Sequence, residues 1–262
     1  MRRKAFLIMN PGLLGDRNYA PTVENAYNRV KSYLKSPVGG YWHDEEILEL
    51  ARVAVYENLE EDFCNKMEAV GNVDVEYSLI VFIGHGGAVN GNDSIQLEDG
   101  RIIPISTLIT PVSPITKRMV IIDACRSYVA IPEIMLEQRA FAGDGQFQGT
   151  WCRDYYNHLI AECEPHVELI QSTQYGQYEH GTQRGTAFMD ALLGIIKDNL
   201  PLWNSLALMT HLGEYRATFR DLEGFVRTQM DAYGQVPQYT NASQCAFPLF
   251  ALKRLVQNIL ND

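Results

Sequence analysis

Short, continuous apolar runs bounded by turn residues recur along the chain, and they predict buried β-strands. The predicted strands are residues 4–9, 77–83, 118–122 and 166–171, with a further candidate at 246–252. Because the strongest of these runs do not alternate with polar residues, each is expected to be covered on both faces, as strands of a parallel sheet are. A small hairpin is also predicted where residues 94–97 and 101–105 flank an Asp-Gly pair.

Helical patterns separate the predicted strands. Residues 22–34 place apolar side chains at helical spacing, with Thr22 as a candidate N-cap, and residues 186–197 form a second such stretch. The residues between these well-defined segments are read as helix or strand at 47–56, helix at 59–70 and a short helix at 151–162. Alternating strands and helices predict an α/β fold, with a mostly parallel central sheet and helices on both faces.

Composition narrows the class of protein. The 262 residues are 46% apolar, which predicts one globular domain over residues 1–262. The net charge of −10, without a cluster of Lys or Arg, argues against a nucleic-acid partner. No window approaches the roughly 20 apolar residues of a membrane span, and the apolar run at 5–9 is too short for a signal peptide. We therefore expect a soluble, cytoplasmic protein.

The five cysteines follow no framework spacing, so free thiols are predicted. Four potential zinc ligands lie within 15 residues, at Cys152, His158, Cys163 and His166, but their spacing fits no zinc motif. No calcium loop of EF-hand type is visible either. We predict no metal and no organic cofactor.

Two residues stand out because each lies just beyond the end of a predicted strand. His85 follows the strand at 77–83 within a run of glycines, and Cys125 follows the strand at 118–122. The carboxyl ends of parallel strands share one edge, so both side chains are expected there although 40 residues separate them. Either residue alone would be read as a loop histidine or a buried cysteine. Together they predict a thiol nucleophile with an imidazole base, and Gly86 lets the backbone approach a substrate closely.

These motifs carry a family resemblance. Residues 83–87 (Ile-Gly-His-Gly-Gly) and 123–127 (Asp-Ala-Cys-Arg-Ser) resemble the histidine and Asp-x-Cys motifs of the caspase, metacaspase and bacterial orthocaspase superfamily. Animal caspases carry Gln-Ala-Cys-Arg-Gly, so Asp123 and Ser127 are closer to metacaspases. Residues 234–238 (Gly-Gln-Val-Pro-Gln) are similar to a Gln-Thr-Pro-Gln segment of bacterial members.

The resemblance implies a caspase-like αβα sandwich and a cysteine endopeptidase acting on protein or peptide substrates. It assigns Cys125 as nucleophile, His85 as acid and base, and Gly86 to the oxyanion hole. Residues 170–179 resemble one wall of the substrate pocket, which makes Ser172 and Tyr175 candidate substrate-binding residues. Residues 1–131 and 166–262 resemble the larger and smaller halves of the domain, and 132–165 is either a linker that the enzyme cleaves itself or a helical insertion.

The resemblance also bears on specificity. In metacaspase-like relatives a carboxylate two residues before the nucleophile lines a pocket for Arg or Lys at P1, the residue before the cleaved bond, and Asp123 occupies that position. A second acid is usual in the following loop, where this chain has Tyr175 and Gly176. Asp123 is therefore either a P1 determinant or an acceptor that holds the cysteine loop.

Two alternatives from other classes stay open on the sequence. One is an inactive caspase-like module that serves as a binding partner or scaffold. The other is an unrelated doubly wound domain in which Cys125 senses redox state. The sequence leaves the oligomeric state open.

Overall fold

A computed structural model describes most of the chain. The described residues are 1–51, 75–89, 91–97, 100–110, 117–125, 147–210 and 212–254. The helix predicted at 59–70, Asp99 of the Asp-Gly pair and residues 132–146 of the segment 132–165 therefore lie outside the described residues.

A six-stranded, mostly parallel sheet organises the fold, which confirms the predicted class. Its strands are β1 (Arg3–Asn10), β2 (Ile47–Ala51), β3 (Tyr77–Gly84), β7 (Lys117–Ala124), β8 (Val167–Gln171) and β10 (Gln238–Asn241). They are ordered β10-β8-β7-β3-β1-β2, and only the β10–β8 pair is antiparallel. Residues 47–56, whose sequence fits either a helix or a strand, thus begin as strand β2.

The apolar runs are continuous because both faces of the sheet are covered. Alternate residues of β1 divide between two core clusters, with Leu7 on one face and Phe6 on the other. The helices on the first face are α1 (Pro21–Lys35), α3 (Gly149–Glu162), α4 (Ala187–Asp198), α5 (Leu200–Met209) and α6 (Phe219–Met230). The opposite face packs against a three-stranded sheet and the short helix α2 (Ile105–Ile109).

Of the two helix starts predicted from the sequence, one agrees with the structure and one does not. Helix α4 begins as predicted, because the Thr186 side chain accepts a hydrogen bond from the Met189 N–H. The prediction of Thr22 as the cap of α1 was wrong. Ala20 is the N-cap and Pro21 is the first helical residue, a position that suits proline because its fixed φ and missing N–H cost the first turn nothing.

Two small sheets complete the fold. The predicted hairpin is present as β5 (Asn92–Gln96) and β6 (Ile102–Pro104), and β4 (Gly86–Val89) pairs with β5 on its other side. The last predicted strand forms as β11 (Pro248–Lys253), but its partner is β9 (Glu214–Thr218) rather than the central sheet. The strands β4 and β9 were not predicted.

The prediction of free thiols was wrong for two of the five cysteines. Cys163 and Cys245 form a disulfide across 82 residues, whereas Cys125 and Cys152 are free and buried. Packing of α3 against β11 brings these two distant thiols together. The four zinc candidates do not converge, since Cys163 is oxidised and His158 and His166 each contact a glutamate.

A buried ionic network ties α3 to the start of the sheet. Arg153 of α3 donates to both carboxylate oxygens of Glu46, at 2.6 and 2.7 Å, and the Nε of Arg3 lies 3.6 Å from the same carboxylate. The Arg3 guanidinium also lies over the Trp42 ring, 4.1 Å from its centre. Burial raises the pKa of Glu46, but hydrogen bonds from Arg153 and the His43 N–H, together with both positive charges, lower it to about 2.

Glu46→Gln is expected to lower the free energy of unfolding by about 3 kcal/mol at pH 7, because it leaves two buried cations without a counter-charge. Since the folded-state pKa lies below its usual 4.5, the carboxylate stabilises the fold fully above about pH 5. This contribution is lost as the pH falls towards 2. Urea unfolding across this pH range should show that the unfolding free energies of Glu46→Gln and wild type become equal at acid pH. The control is Glu45→Gln, a substitution of the exposed neighbouring residue, which should differ little from wild type at any pH. If the difference in unfolding free energy between Glu46→Gln and wild type did not change with pH, the ion pairs of Glu46 would not be the source of the stabilisation.

No helix among the described residues combines the length and apolarity needed to cross a bilayer.

Candidate active site

His85 and Cys125 occupy equivalent positions on neighbouring strands. β3 and β7 are parallel, and their last paired residues are Gly84 and Ala124. His85 and Cys125 come next on each strand, where the separation of adjacent strands is about 4.8 Å. The sheet therefore brings the imidazole-bearing and thiol-bearing residues together at its carboxyl edge, as the sequence predicted.

Two glycines make this close approach of loops feasible. Gly84 has φ +153°, and a Cβ there would lie 2.4 Å from the Asn10 carbonyl oxygen. A Cβ on Gly86 would lie 2.9 Å from the Ala124 Cβ and 3.1 Å from the Cys125 carbonyl oxygen. Gly86 thus packs directly against the cysteine segment, and any larger residue would push the two loops apart.

A backbone carbonyl orients the imidazole. His85 Nε2 lies 2.8 Å from the carbonyl oxygen of Asn18, in the loop after β1. Because a carbonyl can only accept, Nε2 carries the proton in this contact, and the neutral ring keeps its lone pair on Nδ1. The histidine is therefore held in the tautomer that leaves one nitrogen able to act as a base.

Asn10, at the end of β1, holds both loops around His85. Its side chain accepts a hydrogen bond from Gly12 N–H at 2.9 Å and donates to the Gln96 carbonyl at 2.6 Å. Its own carbonyl accepts from His85 N–H at 3.2 Å. Asn10 directly follows the strand predicted at residues 4–9, and its contacts with Gly12 and the His85 loop depend on the order of the strands in the sheet.

Cys125 is buried, with 7% of its surface exposed, and its environment favours the protonated thiol. Burial raises the pKa of Cys125 to about 11, with repulsion from Glu179 and Asp123 acting in the same direction against a hydrogen bond from the backbone of Glu179. That Glu179 N–H donates to Sγ at 3.2 Å.

Asp123 is fully buried beneath the nucleophile, together with a second acid. Its Oδ2 accepts a hydrogen bond from the Thr186 hydroxyl. Burial, followed by repulsion from Glu179, holds the pKa of Asp123 well above its usual value. Burial also raises the pKa of Glu179, although more hydrogen-bond donors face that carboxylate. The two carboxyl groups therefore behave as a pair that holds a proton more tightly than isolated carboxylates do, Asp123 more than Glu179.

Glu179 was missed by the sequence analysis. Its side chain is 4% exposed and accepts from Phe188 N–H at 3.3 Å and from Gln235 Nε2 at 2.8 Å. A second acid was sought at Tyr175 and Gly176, but the structure places it three residues further along. Glu179 is the only acidic residue between positions 169 and 189, a signal that could have identified it.

The other two predicted pocket residues lie in different settings. Ser172 is 1% exposed, and its Oγ accepts from Ala124 N–H at 3.2 Å, so it supports the residue just before the nucleophile. Tyr175 is 65% exposed on the loop that leads to Glu179. Of these two, only Tyr175 presents a surface to an approaching peptide in this structure.

Comparisons with known proteins agree with this geometry. The model of the caspase domain family matches residues 23–246. A Geobacter sulfurreducens protein, solved as a structural-genomics target, superposes with a TM-score of 0.52 at 14% identity, covering 92% of this chain and 94% of its own. Caspase-1 from Spodoptera frugiperda superposes with a TM-score of 0.50 at 17% identity, covering 91% of this chain and 86% of its own.

No curated protein matches the sequence. The two superpositions show a shared fold, and the family match spans most of the chain, including the His85 and Cys125 segments. Membership of this family indicates a cysteine peptidase that acts on protein substrates. The chain belongs to the caspase domain family.

Proposed function

We propose that the protein is a cysteine endopeptidase in which Cys125 is the nucleophile and His85 the acid and base. The observation that carries this proposal is the equivalent placement of the two residues directly after the adjacent strands β3 and β7. The carbonyl of Asn18 supports it, because this contact leaves His85 Nδ1 free to accept a proton.

The proposed reaction begins with the neutral thiol. As substrate binds, His85 Nδ1 removes the proton from Cys125, and Sγ attacks the carbonyl carbon of the scissile peptide bond. The backbone N–H groups of Gly86 and Cys125 are proposed to stabilise the resulting oxyanion. The intermediate collapses as the protonated His85 gives its proton to the leaving amine. Water, deprotonated by His85, then attacks the thioester, and release of the acid regenerates the free thiol.

We further propose that the enzyme cleaves after Arg or Lys. The buried acid pair beneath Cys125 supports this preference, since a cation that reached Asp123 and Glu179 would take the place of the proton that burial and mutual repulsion hold on them. A cationic P1 side chain would relieve the repulsion between the two carboxyl groups. A scan of fluorogenic peptides that differ only at P1 tests this proposal, and higher kcat/KM for Leu or Asp than for Arg and Lys would contradict it.

Self-cleavage between the two halves is the third part of the proposal. Arg139 and Arg153 lie on either side of residues 143–145, which include two glycines, and each is a candidate P1 residue for self-cleavage. Arg139 lies outside the described residues. Arg153 lies within α3 and is bound to Glu46, so a cut there would first require unfolding of the helix. The apolar residues of α3 (149–162) pack in the core, so we place the proposed cut before this helix.

Active enzyme is expected to cut itself slowly within residues 132–146 into two fragments that stay associated. The fragments would share the β7–β8 pairing and the hydrogen bond from the Tyr33 hydroxyl to the Leu249 carbonyl. The Cys163–Cys245 disulfide lies wholly in the second fragment, so denaturing electrophoresis should separate the two without a reductant. Intact mass measured over time, with Cys125→Ala as control, checks this; a chain that stays whole while hydrolysing peptides would show that activity needs no processing.

A further inference from the structure

The hydrogen bonds around His85 form a closed ring through its backbone. The Asn10 carbonyl accepts from His85 N–H at 3.2 Å, and the His85 carbonyl accepts from Gln96 N–H at 2.9 Å. The Gln96 carbonyl in turn accepts from Asn10 Nδ2 at 2.6 Å, which closes the ring. Asn10 is the member of the ring that contributes a side chain, so its amide decides whether the ring can close.

A second contact of the same side chain leads to the imidazole. Asn10 Oδ1 accepts from Gly12 N–H at 2.9 Å, and Gly12 lies against the contact between His85 Nε2 and the Asn18 carbonyl. A Cβ on Gly12 would lie 3.1 Å from that carbonyl oxygen and 3.2 Å from Nε2. Asn10 therefore also positions the loop that supplies the acceptor for the ring proton.

Burial fixes the orientation of the Asn10 amide. The residue is 2% exposed, and both its oxygen and its nitrogen are paired. If the amide turned over, its nitrogen would face the Gly12 N–H and its oxygen the Gln96 carbonyl, so both buried contacts would be lost. One side chain thus holds the backbone of His85 and the loop beside its ring in a single arrangement.

We propose that Asn10 is a positioning residue that keeps the His85 imidazole in the tautomer with Nδ1 unprotonated and in place to take the Cys125 proton. The inference rests on the proposed peptidase function and deepens it. Asn10 contacts neither Cys125 nor the imidazole ring through its side chain, so its effect passes through the backbone of His85 and the Asn18 carbonyl. Precise placement matters because a shift of about 1 Å in a catalytic group can lower a rate on the order of 100-fold.

The first test is the steady-state kinetics of Asn10→Leu. Leucine has a similar shape but can make neither side-chain hydrogen bond, and we expect kcat to fall on the order of 100-fold while KM stays nearly unchanged. KM should hold because the affected interactions act on the transition state and not on substrate binding. Unchanged kcat in a folded Asn10→Leu enzyme would overturn the proposal.

Asn241→Leu is the matched control. Asn241 ends β10 and makes the same two kinds of contact, accepting from Ser243 N–H at 2.7 Å and donating to the Cys245 carbonyl at 2.8 Å. It pairs with Glu168 at the start of β8, at the end of the sheet opposite to Cys125. This variant should keep the wild-type kcat, and an equal fall in kcat for both variants would show that Asn10 has only a structural role.

The ring tautomer gives a readout that does not depend on hydrolysis. In ¹⁵N spectra of ring-labelled histidine at alkaline pH, where imidazoles are neutral, the wild-type His85 signals should show a protonated Nε2 and an unprotonated Nδ1. His85→Ala identifies these signals by their loss. In Asn10→Leu both signals should move towards the averaged positions of a ring that exchanges between tautomers, and signals that stay at their wild-type positions would overturn the role of Asn10.

Asn10→Asp tests the proposal even if the leucine variant does not fold. The carboxylate can still accept from Gly12 N–H but cannot donate to the Gln96 carbonyl, so only the ring of hydrogen bonds opens. We expect kcat to fall about tenfold at neutral pH, as for the loss of one buried hydrogen bond, and a wild-type kcat would overturn the role of the ring. A wild-type protein that hydrolyses no peptide would instead overturn the proposed peptidase function, and the tautomer spectra would still decide whether Asn10 positions His85.

Discussion

Replacement of Cys125 by alanine is expected to abolish peptide hydrolysis, because the thioester intermediate cannot form without Sγ. His85→Ala should lower kcat by at least roughly 100- to 10,000-fold, the usual contribution of a positioned acid and base. The loss of one thiol that accepts a single backbone hydrogen bond should lower the thermal midpoint by only about 2–4 °C. Steady-state kinetics and thermal unfolding of the purified variants measure both effects.

Cys152→Ala is the matched control for this prediction. Cys152 is the other free cysteine, is equally small and buried, and accepts a backbone hydrogen bond from Lys253 N–H at 3.4 Å, but it lies in α3 away from the carboxyl edge of the sheet. Its variant should keep full activity. Substantial residual hydrolysis in Cys125→Ala would falsify the assignment of the nucleophile and favour the scaffold alternative.

Alkylation by iodoacetamide adds an independent readout. Because burial raises the pKa of Cys125 to about 11, labelling should be slow at neutral pH. The labelling rate should increase about tenfold with each unit by which the pH rises towards that value. Cys125 labelling that is fast at pH 7 and unaffected by His85→Ala would instead indicate an independently activated thiol, as in a redox sensor.

Asp123→Asn is expected to lower kcat/KM for peptides with a basic P1 residue by about 100-fold, because removal of one partner from a buried charge pair commonly costs 2–5 kcal/mol. Asn keeps an oxygen that can accept from Thr186, and the substitution removes repulsion with Glu179. The thermal midpoint should therefore not fall. A P1 scan and a melting curve on the same preparation check this prediction.

The same variant decides between the two roles that the sequence left open for Asp123. A structural acceptor would give a lower melting temperature and an equal loss on all peptides, whereas a P1 determinant gives a selective loss on basic ones. The pH dependence has a defined sign. Burial and mutual repulsion keep a proton on the Asp123–Glu179 pair, and a cation binds best after that proton leaves, so kcat/KM for basic peptides should rise with pH.

Much of the architecture could be predicted because burial leaves a pattern in the sequence. A strand covered on both faces must be apolar throughout, so β3 and β7 were recognisable as strands without any knowledge of their neighbours. The strand ends then placed His85 and Cys125 on one edge. Strands with one exposed face, such as β9, alternate weakly and were missed.

The sequence by itself determined the fold class and the pairing of His85 with Cys125, because both follow from local patterns and from the rule that parallel strands share a carboxyl edge. Only the tertiary structure decided that Glu179 is the second acid, that Gln235 orients it, and that Cys163 pairs with Cys245. The reason is physical. These contacts join residues 56 to 82 positions apart, so they depend on how loops and helices pack after the sheet has formed, and no local periodicity records that packing.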